Sequence, residues 1–368
     1  MEEKTVLVKI EALEDFAAAV FKGIGVPEQE AGICADVLIA ADKRGIDTHG
    51  IGRLKQIYYD RIKAGTQSAV TNFEIVREGP TTAVVDGHNG MGQVIAKRSM
   101  QIAVDKAKKF GTGMVAVRNS THYGIAGYYC MMAAENGLIG ISGTNARPSV
   151  APTFGVENML GTNPLAFGFP TDEDFPFVID CATSLSQRGK VELYDRLGKE
   201  LPPGWVIGED GKTRTDTHKI LEDLNKGSAA FTPLGGPGEE GAGYKGYGYC
   251  TVVEVLSAAL QQGSFMKMLL GVRDGKKVPI NLGHFFMAVD ISAFCPVEEF
   301  KKMAGDMLRA LRASKKEPGR ERIYTAGEKE YLAWLARKDK GVPVTFETQK
   351  EIKIMTNELG LKGHSFPF

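Results

Sequence analysis

Two histidines stand out by their neighbours. His49 lies in Asp47-Thr48-His49-Gly50 and His122 in Asn119-Ser120-Thr121-His122-Tyr123-Gly124, each after a hydroxyl residue and before glycine or Tyr-Gly. An imidazole in such a loop is free to exchange a proton near neutral pH. Arg53 follows His49 by four residues, about one helical turn, and a guanidinium there can clamp a carboxylate through two parallel hydrogen bonds. Histidine plus arginine is the pair a 2-hydroxy or 2-oxo acid needs, one group for the hydroxyl proton and one for the carboxylate. Spacing alone also allows an Arg53–Asp60 surface pair. His88, His218 and His364 lack this setting and are read as structural or surface residues.

Polar turns after apolar runs supply the rest of a pocket rim. Gly143-Thr144-Asn145-Ala146-Arg147-Pro148 and Gly161-Thr162-Asn163-Pro164 offer Asn145, Arg147, Thr162 and Asn163 as pocket-lining groups. Asp180 ends the strand-like run Phe177-Val178-Ile179 and is either a strand-end cap or the orienting partner of a histidine, whose cation a carboxylate stabilises. A literal dinucleotide fingerprint, Gly236-Pro237-Gly238-Glu239-Glu240-Gly241, has no strand before it and carries two carboxylates that would repel a pyrophosphate. Gly243-Tyr244-Lys245-Gly246 sits just ahead of a helix start, where free N–H groups favour an anion; a plain glycine entry with Lys245 in solvent explains it equally well.

The elements that must hold these groups follow from periodicity. Ile10, Leu13, Phe16, Ala17, Val20 and Phe21 line one helix face, Pro27-Glu28 opens a second helix, and a third runs from Leu54 to about Ala64. Near residue 75 the pattern changes to strands alternating with helices: Thr82–Asp86, Gly92–Lys109, Met114–Val117, Ala126–Asn136, Leu138–Ser142, Leu165–Phe169, Phe177–Asp180 and Arg188–Leu197. Pro202–Asp216 has hairpin or loop composition, Tyr249–Gln262 is helical, and His284–Asp290 is a strand. From Pro296 the chain is helical again. The expected division is a helical segment, 1–75; an α/β domain binding cofactor and substrate, 76–297; and a C-terminal helical segment, 298–368, that packs back on the first.

Composition narrows the class of function. Lys plus Arg balances Asp plus Glu at 45 each, so no global field draws nucleic acid or an anionic membrane. No apolar run approaches the ~20 residues of a membrane span, and the acidic, amphipathic start MEEKTVLVKIEALEDF has no signal-peptide core. A cytoplasmic protein without nucleic-acid or membrane partners is expected. The five cysteines, at 34, 130, 181, 250 and 295, are scattered, which argues against a disulfide framework and against a metal site.

Together these motifs resemble the type-2 malate/L-lactate dehydrogenase family, also called L-sulfolactate dehydrogenase-like. The resemblance runs from about Ile10 to Gly360, with six motifs in family order: Asp47-Thr48-His49-Gly50 with Arg53, the His122 island, Gly161-Thr162-Asn163-Pro164, Asp180-Cys181-Ala182-Thr183-Ser184, Gly243-Tyr244-Lys245-Gly246, and Tyr324-Thr325-Ala326-Gly327-Glu328. It implies an α/β (α+β) fold that is not Rossmann, a mixed sheet flanked by helices plus a helical domain. It also implies hydride transfer between NAD(P) and a 2-hydroxy acid, in homodimers with active sites near the interface. Val178, Ile179, Asp180, Cys181, Ala182, Thr183, Ser184, Tyr244, Lys245, Gly327, Glu328 and Lys329 would line the cofactor, expected to be NAD, with NADP left open because Arg188 and Lys190 could meet a 2′-phosphate. His122, favoured, or His49 would exchange the proton with Asp180 in support; Thr48 and Arg53 would hold the substrate. Thr48 stands where the family often has serine, and Ala326 where proline is commoner. Arg147, as a second cation, favours malate; lactate, sulfolactate, ureidoglycolate or a cyclic imine are the alternatives, as is a non-catalytic nicotinamide-binding oligomer.

Overall fold

Apolar residues at three- and four-residue steps form α1 (Ile10–Gly23), whose Leu13, Phe16, Ala17, Val20 and Phe21 are fully buried. A computed structural model describes residues 5–368; the acidic start, 1–4, lies outside the described residues. Ahead of α1, β1 (Val6–Val8) pairs antiparallel with a strand from the far end of the chain, Val6 facing Val344. Then α2 (Glu28–Lys43) begins after Pro27 with Glu28 and Glu30 in its first turn, where the helix dipole favours acids.

The helix expected from Leu54 is present but unusual. A 3₁₀ turn, Ile51–Arg53, leads into a π-helical stretch, Leu54–Tyr59, and only then α3 (Asp60–Lys63). One extra residue per turn rotates the side chains after it, a distortion found mostly at functional sites.

The α/β region follows as β2 (Glu74–Glu78), β3 (Thr82–Asp86), α4 (Gly92–Phe110), β4 (Thr112–Ser120), α5 (Gly127–Glu135), β5 (Leu138–Thr144), β6 (Leu165–Phe169) and β7 (Phe177–Cys181). An excursion then carries α6 (Arg188–Arg196), β8 (Val206–Gly208), β9 (Thr213–Arg214), α7 (Thr217–Lys226) and β10 (Ala229–Phe231). The expected hairpin is β8–β9, and α7 arises where no helix was expected, capped by the Asp216 carboxylate accepting from Lys219 N–H at 3.0 Å. The chain continues through α8 (Gly243–Ala258), a small hairpin of β11 (Val272–Arg273) and β12 (Lys276–Lys277), and β13 (Leu282–Asp290).

Seven strands form one mixed sheet in the order β2-β3-β4-β13-β5-β6-β7, parallel only between β3 and β4. α4 is the crossover that a parallel pair requires. Strand alternation sends Val115, Val117, Phe286 and Ala288 into a core under α4 and α5. On the other face Gly283 lies so close to α8 that a Cβ there would meet the Ser257 carbonyl. The expected mixed sheet flanked by helices is therefore observed. The sheet β10-β8-β9 builds its own core with Val191 and Ile220 of α6 and α7.

The C-terminal segment divides in two. α9 (Val297–Ala313) stays at the sheet edge, where Arg309 pairs with Asp172 at 2.9 Å. α10 (Glu328–Lys340), β14 (Val342–Val344) and α11 (Phe346–Leu359) return to α1 and α2, with Val342, Val344, Ile352 and Met355 in the same core as Phe16 and Phe21. Among the described residues no helix is long and apolar enough to cross a membrane.

Candidate active site

The loop between α2 and the 3₁₀ turn is fixed by a buried carboxylate. Asp42 Oδ2 accepts from Ile51 N–H at 2.7 Å, and a Cβ on Gly50 would lie 2.0 Å from Asp42 Oδ1, so only glycine fits between them. Burial pushes the Asp42 carboxyl up to about 8. From α10, Arg337 holds the same loop by donating to Asp47 Oδ2 at 3.0 Å and to the Asp42 carbonyl. Thus clamped, the loop carries His49, whose Nδ1 lies 2.9 Å from the Thr48 hydroxyl. Arg53 Nε donates to the Thr48 carbonyl at 2.6 Å, and no carboxylate pairs with Arg53 among the described residues. The competing Asp60 pairs instead with Lys55 at 2.8 Å.

His122 arrives on the turn that follows β4. Thr121 ties that turn to the start of α4, accepting from Gly92 N–H at 3.0 Å and donating to the Gly90 carbonyl at 2.8 Å. The two imidazoles stack at 5.9 Å with 19° between their planes. His122 Nδ1 is met by the Tyr58 hydroxyl at 2.7 Å and by the Gly124 N–H at 3.3 Å. Tyr58 is fully buried near the end of the π-helical stretch and was not among the site residues expected from the sequence. Both histidines are held neutral at pH 7. Burial first, then the Arg53 charge, lowers His49 to about 4; burial, then His49 and nearby arginines, puts His122 well below its ordinary value.

Three adjoining clefts meet here. His49, Arg53, His122, Arg147 and Thr162 line one of about 660 Å³. A second, of about 530 Å³, shares His49 and Thr162 and is lined by Thr48, Asp180, Cys181, Ala182, Ser184 and Lys190. A third, of about 260 Å³, shares Asp180 and Glu330 with the second and is lined by Val178 and Gly327. Of the expected residues, Thr48, Arg53, Arg147, Thr162, Val178, Asp180, Cys181, Ala182, Ser184 and Gly327 thus lie on adjoining clefts, with His49 on both of the larger two.

Several expected groups are committed elsewhere. Asn145 donates to the Ser264 carbonyl at 3.0 Å and accepts from Gly283 N–H at 2.9 Å. Asn163 donates to Glu254 at 2.7 Å and accepts from Ala146 N–H at 3.1 Å. Both are fully buried and shape the rim without reaching it. The Thr183 hydroxyl donates to the Asn163 carbonyl, and Ile179 alternates to the opposite strand face from Val178 and Asp180. Asp180 orients no histidine; it accepts from Gly127 N–H at 2.7 Å, capping α5, and burial raises its carboxyl to about 6. Tyr244 and Lys245 lie in the first turn of α8 rather than ahead of it, outside the three clefts. The glycines there serve packing, since a Cβ on Gly243 would sit 1.9 Å from the Gly236 carbonyl. Glu328 is buried against Arg322 and accepts from Thr325 N–H at 3.1 Å, and Lys329 covers the Tyr324 ring at 4.9 Å.

The profile described as Malate/L-lactate dehydrogenase, a family of nicotinamide-linked oxidoreductases, matches residues 8–353. The chain belongs to that family. It is 44% identical over 363 residues to the malate dehydrogenase of Pyrococcus horikoshii, covering 99% of this chain and 98% of that one. It is 38% identical to the L-sulfolactate dehydrogenase of Methanocaldococcus jannaschii, over 93% and 94% of the two chains. The crystal structure of malate dehydrogenase from Entamoeba histolytica superposes with a TM-score of 0.95 at 45% identity, over 99% of this chain and 100% of that one.

Proposed function

We propose that the protein interconverts malate and oxaloacetate with NAD, as a homodimer in the cytoplasm. The observation that carries the substrate reading is a pair of guanidiniums, Arg53 and Arg147, on the cleft that holds His49 and His122. Neither has a carboxylate partner among the described residues, so each is available to one acid group of a dicarboxylate. The malate dehydrogenases among its relatives support the same reading.

The adjoining clefts suit a dinucleotide. α6 opens on one of them with Gln187 and Lys190, and its N-terminus has no side-chain cap, leaving N–H groups free for a pyrophosphate. When bound, the cofactor supplies the nicotinamide carbon that takes or gives the hydride.

The hydrogen bonds give the two histidines different roles, His122 as a hydrogen-bond donor and His49 as the group that takes the proton in oxidation and returns it in reduction. Gly124 N–H can only donate, so Nδ1 of neutral His122 is an acceptor and the proton sits on Nε2. Neutral His122 therefore holds the substrate oxygen by donating a hydrogen bond from Nε2–H and keeps that proton. His49 can donate Nδ1–H to the Thr48 hydroxyl, which leaves Nε2 as the base that takes the hydroxyl proton when the hydroxy acid is oxidised. Arg53 fixes the carboxylate beside the reacting carbon.

The test is oxidation of NADH and NADPH with oxaloacetate, pyruvate, sulfopyruvate and a cyclic imine. Oxaloacetate should exceed pyruvate in kcat/KM by about tenfold or more, the value of one charge-assisted hydrogen bond. Arg147→Ala should remove that advantage. Equal rates with the two acids would discard malate, and NADH binding without turnover on any acid would indicate a non-catalytic binding protein.

The dimer reading rests on exposed apolar faces. Tyr249, Val252, Val255 and Leu260 lie uncovered along α8 and beyond it, and grouped exposed apolar side chains favour a partner surface.

A further inference from the structure

Behind the substrate cleft lies a separate cavity of about 330 Å³ between α3 and the β11–β12 hairpin. Its wall carries Arg61, Arg147 and Lys277 against a single carboxylate, Asp60, which is already bonded to Lys55 at 2.8 Å. Among the described residues none of the three cations pairs with an acid. Arg61 is half-buried, and burial together with the like charge of Arg147 lowers its pKa. A half-buried guanidinium facing another guanidinium is unfavourable until an anion enters between them. The arginine fork matches the spacing of oxygens in a phosphate or carboxylate.

We propose that this cavity is a second anion site, taking a small oxyanion such as inorganic phosphate or a short dicarboxylate. The volume admits such a ligand. The site is distinct from the catalytic cleft, with which it shares the Arg147 and Leu270 wall, and it does not depend on the reaction proposed above. An anion held there draws on the same Arg147 that faces the substrate, so occupancy of one cavity weakens the other.

Phosphate and malonate binding to the full-length protein, followed by calorimetry without cofactor or substrate, tests this. Arg61→Gln should weaken phosphate binding about tenfold or more, and Lys277→Gln, on the exposed hairpin, about threefold, as loss of a charge-assisted bond and of a screened charge imply. Arg53→Gln should leave phosphate affinity within about twofold, because Arg53 lines only the catalytic cleft. Binding unchanged in Lys277→Gln, or in a folded Arg61→Gln, overturns the site, as does binding lost in Arg53→Gln. Phosphate weakened by these variants with malonate unaffected would confine the ligand to tetrahedral anions; the reverse would confine it to dicarboxylates.

Discussion

Tyr58 and Gly124 both aim a hydrogen at Nδ1 of His122, and that convergence separates the roles of two imidazoles that look alike in the sequence. Replacing Tyr58 with phenylalanine removes the shorter bond. It should lower kcat about tenfold with little change in KM, the pattern of an interaction that matters in the transition state; wild-type kcat would end the positioning role. The acid limb of the pH profile tests His49. Its neutral form is the base, and burial with Arg53 lowers its pKa to about 4. In the oxidative direction kcat/KM should stay flat from neutral pH down to about 5 and fall only below that. A limb centred near the ordinary histidine value would show that the environment does not depress it. The hydroxyl-His-Gly settings and the four-residue step to Arg53 made these groups legible. Tyr58 was not, because its partner is 64 residues away and its spacing fits an ordinary core position equally well. Asn145 and Asn163 were misread for a related reason: a polar turn looks the same whether its amide faces a ligand or locks a buried backbone.

Asp42 and Gly50 act at the scale of the element, joining the end of α2 to the turn that carries His49. With its carboxyl raised to about 8, Asp42 is protonated in the folded state at neutral pH and ionised in the unfolded chain. Its contribution is therefore full below the ordinary carboxylate value and is lost as pH rises through about 8. Asparagine keeps the acceptor for Ile51 N–H and should cost under about 1 kcal/mol, whereas alanine leaves that N–H unpaired and should cost about 1–3 kcal/mol. Urea unfolding at pH 7 distinguishes them, and equal loss in both variants would reject the cap. Long periodic helices and six of the seven strands of the main sheet were readable from their stripes; β2, exposed throughout, was not. The three-residue strands β1, β10 and β14 were not, since so short a run carries no period. α7 could have been found from Asp216, a capping acid ahead of an amphipathic turn. The π-helical winding at Leu54 leaves no trace in composition, because it depends on what α11 and the histidine turn require of the same helix.

At the scale of the molecule the chain leaves two apolar faces open, one along α8 and one at Met303, Met307 and Leu311 of α9. Sedimentation should give about 80 kDa, twice the 39.8 kDa chain. Val252→Asp with Val255→Asp should shift it toward monomer; a dimer that survives both changes places the interface elsewhere. Sequence periodicity found a helix over Tyr249–Gln262 but not what its apolar stripe faces. A stripe that faces a partner and one that faces the chain's own sheet have the same spacing.

The pairing of β1 with β14 also sets a timetable. Its two strands are more than 330 residues apart, and α1 packs against α11, so α1 must wait for α11 to be made. At about 5–20 residues per second of synthesis, that delay is roughly 15–70 s. During it the stripe of Phe16, Val20 and Phe21 lacks the C-terminal part of its cover, a target for chaperones. The turn bearing His49 and Arg53 gains its link from Gln56 to Glu351 only when α11 arrives. The helix that follows the His49 turn is therefore among the last parts around the site to be braced.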